Sequence, residues 1–333
     1  MASPALHALR VRFRCARITV LARPAVVPAL EGSGDLDEIL VFDPRGRHAG
    51  FAGRLRLIRE LRGRSFDIAV LFQKAFEAAL LARAGGAARR FGYATDRRSW
   101  LLTDAIPETD EVRARHHARV FLDLAAAAGA VSDDLKLRFP LSDADRAGAR
   151  QALAAAGVAE TDPLIAVHPG ASKLPRAWHP ERFAAVASGA ARLVGGRAVI
   201  LGSGQDAHLA RIMASAAPDL VDLTGRTSVR EMAAVFELSR LFLGSDSGPM
   251  HVAAALGTPV VAIFGPGIPA KTAPFVDPGR YRILTRSFPC SPCRQAFFKE
   301  CRPAPSGKPF CIEEITIPDA LAAVRDLLSS TSV

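Results

Sequence analysis

The sequence predicts an α/β protein made of two doubly wound domains, each a parallel sheet flanked by helices. Short β-rich runs alternate with amphipathic helical stretches along nearly the whole chain, the pattern of strand–helix–strand units. The 333 residues are enough for two cores of ordinary size. Several strands in the second half run into turns rich in Gly, Ser and Asp that lead directly into helices, the arrangement that places ligands along one sheet edge.

In the first half, residues 18–22, 39–43 and 66–72 read as strands, and residues 55–61 and 75–84 as helices. A helix over residues 116–128 follows, with Val120, Phe121 and Leu124 on one face. The polar stretch 157–163, closed by Pro163, reads as a linker, so the domains are expected at 1–156 and 157–333. Beyond it come a buried strand at 164–168 and a helix at 179–193, with Pro180 suited to its first turn. Strands at 198–201, 220–223, 241–243 and 259–264 then alternate with helices at 207–216, 229–238 and 250–256. A last helix, 317–328, is placed to pack back across both domains. The start is irregular: residues 4–13 read as a helix feeding into the strand at Ile18, where a doubly wound domain ordinarily opens with a strand. The first strand is therefore expected to be missing.

A hydrophobic content of 49% with 23% charged residues excludes a disordered chain. No window reaches the roughly 18 to 20 unbroken apolar residues of a membrane-spanning helix, and no secretory signal is read at the N-terminus. The expected location is the cytoplasm. The net charge of +10 is unevenly spread: residues 1–100 hold 18 Lys and Arg against 9 Asp and Glu, and the remainder 25 against 24. A basic first domain attracts phosphates or acidic lipids, unless the charge merely solvates a surface. Nucleic acid is not an expected partner, because basic and aromatic residues do not interleave there.

Three turns carry the chemistry. Gly244-Ser245-Asp246-Ser247-Gly248-Pro249-Met250-His251 joins a strand to a helix. Its carboxylate can accept from sugar hydroxyls, and Ser247 with the amides behind it suits phosphate; helix capping is the plain alternative. His168-Pro169-Gly170-Ala171-Ser172-Lys173, with Arg176 and Trp178, offers cations to a diphosphate, although Trp178 and His168 read equally well as core residues. Gly202-Ser203-Gly204-Gln205-Asp206 is a glycine turn that does not meet the dinucleotide fingerprint. Four cysteines, Cys290, Cys293, Cys301 and Cys311, are spaced C-x2-C-x7-C-x9-C. A structural zinc site usually shows two short knuckles and this shows one, so zinc, a disulfide and a purely structural loop all stay open.

The run from Asp222-Leu-Thr-Gly-Arg through Gly244–Pro266 resembles glycosyltransferase family 9, the bacterial heptosyltransferases of the lipopolysaccharide inner core. Pro169-Gly170-Ala171 with Arg176-x-Trp178 is similar to the family's second donor motif, and Phe91-Gly92-Tyr93, Leu101-Leu102-Thr103 and His116-His117 are similar to its first half. The resemblance implies a GT-B fold, two Rossmann-like domains facing a cleft, with donor in the C-terminal domain and acceptor in the N-terminal one. It implies inverting transfer of heptose from a nucleotide-diphosphate heptose, ADP-heptose in the first instance, with no cofactor and no essential metal. The acceptor implied is an anionic, lipid-linked core saccharide, reached by peripheral contact with the inner membrane. By position, Asp246, Ser247 and Gly248 would hold the donor, with Met250 and His251 beside them. Ser172 and Arg176 would meet the diphosphate, and Gln205 or Asp206 the nucleobase. Cysteine pairs recur in this region of the family, which favours a structural loop. Members begin with a strand and a Gly-Asp turn ahead of an element like Pro4-Ala5-Leu6, and that Asp is the expected general base. The resemblance thus places the base upstream of Met1, with Met1 an internal methionine. Other readings are a GT-B transferase using another nucleotide sugar, or a catalytically dead donor-binding module.

Overall fold

The computed structural model describes residues 1–171, 173–290, 293, 295, 297–299 and 301–331. The chain divides into two compact units, residues 1–140 and 141–333.

Unit 1 runs α1 (Ser3–Arg12), β1 (Thr19–Ala22), β2 (Glu38–Val41), α2 (Gly50–Arg62), β3 (Ile68–Leu71), α3 (Phe76–Ala84), β4 (Arg89–Tyr93), β5 (Asp104–Ile106), α4 (Asp110–Ala114) and α5 (His117–Ala127). Its strands pair in parallel, which requires a crossover between each pair. They form two sheets rather than the single expected one, β1–β2 and β3–β4–β5. Ala5, Ala8 and Leu9 of α1 pack on Leu122 and Ala125 of α5, with Ile18, Val70 and Phe72 against them. Leu57 and Leu61 of α2 join Leu81 of α3 around Phe42. All four residues of β3 are only half-buried, unlike a strand covered on both faces and paired on both edges.

Unit 2 runs α6 (Asp143–Ala155), β6 (Leu164–His168), α7 (Pro180–Val194), β7 (Arg197–Ile200), α8 (Ala207–Ala216), β8 (Val221–Asp222), α9 (Val229–Leu238), β9 (Ser239–Ser245), α10 (Gly248–Ala255), β10 (Val260–Ile263), α11 (Pro269–Thr272), β11 (Tyr281–Leu284), α12 (Phe310–Glu313) and α13 (Ile317–Thr331). Strand residues alternate between two cores. Ile165, Val167, Ile200, Leu241 and Leu243 meet α7, α8 and α13 on one face. Leu164, Ala166, Val199 and Phe242 meet α6, α9 and α10 on the other. This double burial is why β10 is an unbroken apolar run and β6 is apolar up to its final His168, both buried at every residue. The six strands are parallel, in the order β11-β10-β9-β6-β7-β8.

The division falls one helix ahead of the polar stretch read as a linker, because α6 belongs to unit 2, where its Ala149 and Leu153 enter the core with α9. The last helix buries Ala320, Val324 and Leu327 in unit 2's own core.

The start of α6 is tied down by chemistry that also titrates. Ser142 and Asp145 form a reciprocal capping box, and Arg230 of α9 donates to the same carboxylate at 2.6 Å. The Arg230 hydrogen bond holds the Asp145 carboxyl well below the usual carboxylate range. Asp145→Asn is expected to cost about 1–2 kcal/mol at neutral pH, measured by denaturant unfolding. A depressed acid contributes stability above its unfolded pKa of about 4 and loses it as pH falls. The two proteins should therefore converge in stability in acid.

Candidate functional site

From β6 the chain winds outward through β7 to β8, then returns to β9 on the other side of β6. The turns leaving β6 and β9 therefore diverge from neighbouring strands and leave a crevice at their C-terminal ends, the ordinary ligand site of such a sheet. Two of the three sequence motifs flank that point: His168-Pro169-Gly170 follows β6, and Asp246-Ser247 follows β9. The third, Gly202-Ser203-Gly204, follows the adjacent β7.

One ion pair spans the crevice. Arg176 Nη2 donates to the Asp246 carbonyl oxygen at 2.8 Å and also to the Asp246 carboxylate. Arg176 is planted by its neighbour, since Trp178 is fully buried and its indole donates to the Ile315 carbonyl at 3.1 Å. Burial pushes the Asp246 carboxyl up, and the Arg176 guanidinium opposes that rise. Arg176 Nε is itself shielded from solvent with no partner among the described residues, so one guanidinium nitrogen is placed to meet a ligand.

Further polar atoms around the crevice are shielded and without a partner among the described residues: Ser245 Oγ and Ser247 Oγ. Buried polar atoms nearly always find partners, so a group of them along one sheet edge marks a surface that takes polar ligand atoms. Ser247 is the N-cap of α10, yet its side chain makes no capping hydrogen bond. The first-turn amides of α10 and the positive end of its dipole therefore face the same crevice. His168 is kept neutral by burial, with the Asp206 carboxylate opposing. Two glycines permit the close approach: a Cβ at Gly170 would strike the Asp206 carboxylate, and one at Gly267 would lie 2.6 Å from Asp246 Oδ2.

The structure thus brings together Arg176, Asp246, Ser247 and Gly248, with His251 half-buried in the first turns of α10. Met250, by contrast, is fully buried in the core against the sheet, which leaves only its backbone at the site. Asp206 accepts from Ser203 N at 2.9 Å and from its hydroxyl at 2.8 Å, closing a capping box, while Gln205 is exposed on the same turn. Ser172 lies outside the described residues. Three side chains were passed over in the sequence. Ser245 is one; Thr224 and Thr227, whose hydroxyls are shielded and have no partner among the described residues, are the others. Both threonines flank Gly225, whose amide donates to Gly202 O at 2.9 Å, so their turn packs on the glycine turn after β7. The only sequence signal was the Asp222-Leu-Thr-Gly-Arg run itself.

The five cysteines are free thiols. Cys311 is pushed up to about 11 by burial and then by the neighbouring Cys290, Cys293 and Cys301. Among the described residues no group of three or more His, Cys, Asp or Glu is arranged to hold a metal ion. A concavity of about 540 Å³ lined by Pro163, Arg240, Pro259 and Arg280 lies at the opposite end of the strands, away from this chemistry. Among the described residues no helix is long and apolar enough to cross a membrane.

Residues 54–301 match the profile of Glycosyltransferase family 9 (heptosyltransferase). The chain is similar to lipopolysaccharide heptosyltransferase 2 of Salmonella typhimurium, 26% identical over 298 residues, covering 86% of this chain and 84% of that one. It is also similar to lipopolysaccharide heptosyltransferase 3 of Escherichia coli, 24% identical over 277 residues, covering 80% and 79%. In structure it resembles a family 9 glycosyl transferase of Veillonella parvula, with a TM-score of 0.83 at 23% identity over 99% of this chain and 93% of that one. It resembles E. coli ADP-heptose LPS heptosyltransferase II with a TM-score of 0.78 at 22% identity, over 100% and 95%. The fold is GT-B, with two Rossmann-like α/β units.

The ion pair yields a test of its own. Arg176→Met leaves a buried carboxylate without its partner, and should cost about 3 kcal/mol of stability at pH 8, read by chemical denaturation. A buried acid with a raised pKa is destabilising only while ionised, so the loss should shrink as pH falls toward 5. The double variant Arg176→Met/Asp246→Asn should lose less than Arg176→Met alone.

Proposed function

Because the chain belongs to glycosyltransferase family 9, the heptosyltransferases, we propose that it transfers heptose from ADP-heptose to a phosphorylated, lipid-linked core sugar of lipopolysaccharide. The observation that carries the donor half is the Arg176–Asp246 pair set among unpaired hydroxyls at the N-terminus of α10. A nucleotide diphosphate sugar offers matching groups: two phosphates for a cation and helix amides, and sugar hydroxyls for a carboxylate.

In the reaction the acceptor hydroxyl oxygen attacks the anomeric carbon of heptose from the face opposite the diphosphate. The carbon–oxygen bond to the diphosphate breaks, configuration inverts, and the hydroxyl proton passes to a general base. Charge develops on the departing ADP, and Arg176 with the first-turn amides of α10 neutralises it. Asp246, held by Arg176, presents its remaining lone pairs to donor hydroxyls. Unit 1 receives the acceptor, whose phosphates suit its excess of Lys and Arg. Such an acceptor lies in a bilayer, so the enzyme works in peripheral contact with the cytoplasmic face of the inner membrane.

Calorimetry with ADP tests the donor assignment. Residues 141–333, which hold their own two cores, should bind ADP as the whole chain does. Asp246→Ala should weaken binding of ADP-heptose by about tenfold or more while the protein stays folded. A folded fragment that ignores ADP, or a variant that loses stability but keeps full affinity, would show that these residues only cap a helix.

A further inference from the structure

Unit 1 exposes large apolar side chains at one place where the fold holds them rigidly. Trp100 is 64% exposed, and it stands against α3, whose Phe76 ring lies 6.2 Å from the indole between centroids. Leu80, 42% exposed, and Arg83 follow Phe76 at spacings of one helical turn, which puts all three on one face of α3. The Arg83 guanidinium lies 5.8 Å from the indole centroid. Arg54 of α2 pairs with Glu77 of α3 at 2.5 Å, and Phe51, one turn before Arg54, is 80% exposed. Phe51 and Trp100 are the two most exposed aromatic side chains among the described residues.

This surface is built, not frayed. The loop carrying Trp100 is stapled by Arg98, which is completely buried. Arg98 Nε donates to the Tyr93 carbonyl at 3.1 Å, and its Nη1 to the carbonyls of Gln73 and Ala75. Asp96 accepts from the Phe76 amide at 2.6 Å, which fixes the loop to the start of α3. Asp96 and Arg97 both hold φ at +52°, a conformation side-chain-bearing residues adopt only under constraint. Leu101, beside Trp100, is fully buried against Ala79 and Leu102. The fold thus spends a buried cation and two strained residues to keep a tryptophan outside.

We propose that the Phe51–Leu80–Trp100 surface, flanked by Arg83 and Arg97, is where this protein docks on an anionic lipid bilayer. An indole beside aliphatic side chains and exposed guanidinium groups suits the boundary between headgroups and acyl chains. The excess of basic residues over residues 1–100 supplies the complementary charge for acidic headgroups. The patch also starts at the helix ends that follow β2 and β3, the C-terminal edge of unit 1's strands, where a parallel sheet receives ligands. The inference rests on the lipid-linked acceptor proposed above and adds the surface that reaches it.

The chain supplies its own reporter. Its two tryptophans are Trp100 and Trp178, and Trp178 is fully buried, so changes in emission on docking come from Trp100. With vesicles of phosphatidylcholine and phosphatidylglycerol, emission should shift to the blue and acrylamide quenching should fall. Neutral phosphatidylcholine vesicles should do far less, and raised salt should reverse the effect. In co-sedimentation, Trp100→Ala/Leu80→Ser should lower partition onto the anionic vesicles by about tenfold, and Arg83→Glu/Arg97→Glu should do the same. Transfer to a water-soluble, delipidated acceptor should be unchanged in Trp100→Ala/Leu80→Ser. Vesicle binding that survives both double variants overturns the proposal. So does a blue shift that grows with protein concentration without vesicles, which would mean a second copy covers the surface. Absence of transfer by the unaltered protein would instead count against the proposed activity and leave the docking surface standing.

Discussion

Two neighbouring strands, β6 and β9, send the chain away in opposite directions, and an ion pair spans the crevice between their turns. Arg176 and Asp246 come from segments 70 residues apart, and neither can be satisfied locally. Asp246 is buried where a carboxylate is costly, and Arg176 is what makes its charge tolerable. In return Asp246 fixes the guanidinium so that its Nε stays available, with the Ser247 hydroxyl and the start of α10 along the same edge. Trp178 beneath Arg176 and glycines at 170 and 267 follow from the same need for close approach. The pair is thus held by contacts within the chain itself, which limits the reorganisation a polar ligand would demand there.

Much of this half was legible in the sequence because doubly wound sheets write their ligand edge locally. A buried strand ending in Gly, Ser, Asp or His, followed by a helix, can be recognised without knowing its neighbours. Asp246, Ser247 and Arg176 stand out in the sequence on that ground, and the structure places them around one crevice. What escaped notice depends on contacts distant in the chain. Met250 sits among motif residues, but its helical phase turns it into the core. Thr224 and Thr227 are shielded in a turn whose Gly225 amide bonds to Gly202 in the turn after β7, a contact distant in sequence. The division into units falls ahead of α6, and what holds α6 to unit 2 is the Asp145–Arg230 bond and the packing on α9, neither visible in local composition.

Unit 1 shows the same limit from the other side. Its β4 opens with Arg89 and Arg90, so the strand does not announce itself as an apolar run. Arg98 reads as one more surface charge among many, yet it is wholly buried by carbonyls from three separate residues. Conversely the aromatic side chains of Trp100 and Phe51 lie exposed. Such inversions require compensating structure, and the compensation is visible: the staple of Arg98, the amide bond to Asp96, and the strained backbone between them. The charge asymmetry of the chain was legible as a number; which surface gives it meaning was not.

The account rests most heavily on the crevice between the turns of β6 and β9 as the nucleotide site. A crystal structure of the protein with ADP bears on it most directly. The diphosphate should lie at the N-terminus of α10, within hydrogen-bonding distance of Arg176 Nε, with the Ser247 hydroxyl newly partnered and Asp246 in place. ADP bound instead at the opposite strand ends, against Arg240 and Arg280, or on unit 1 with the crevice untouched, would contradict it.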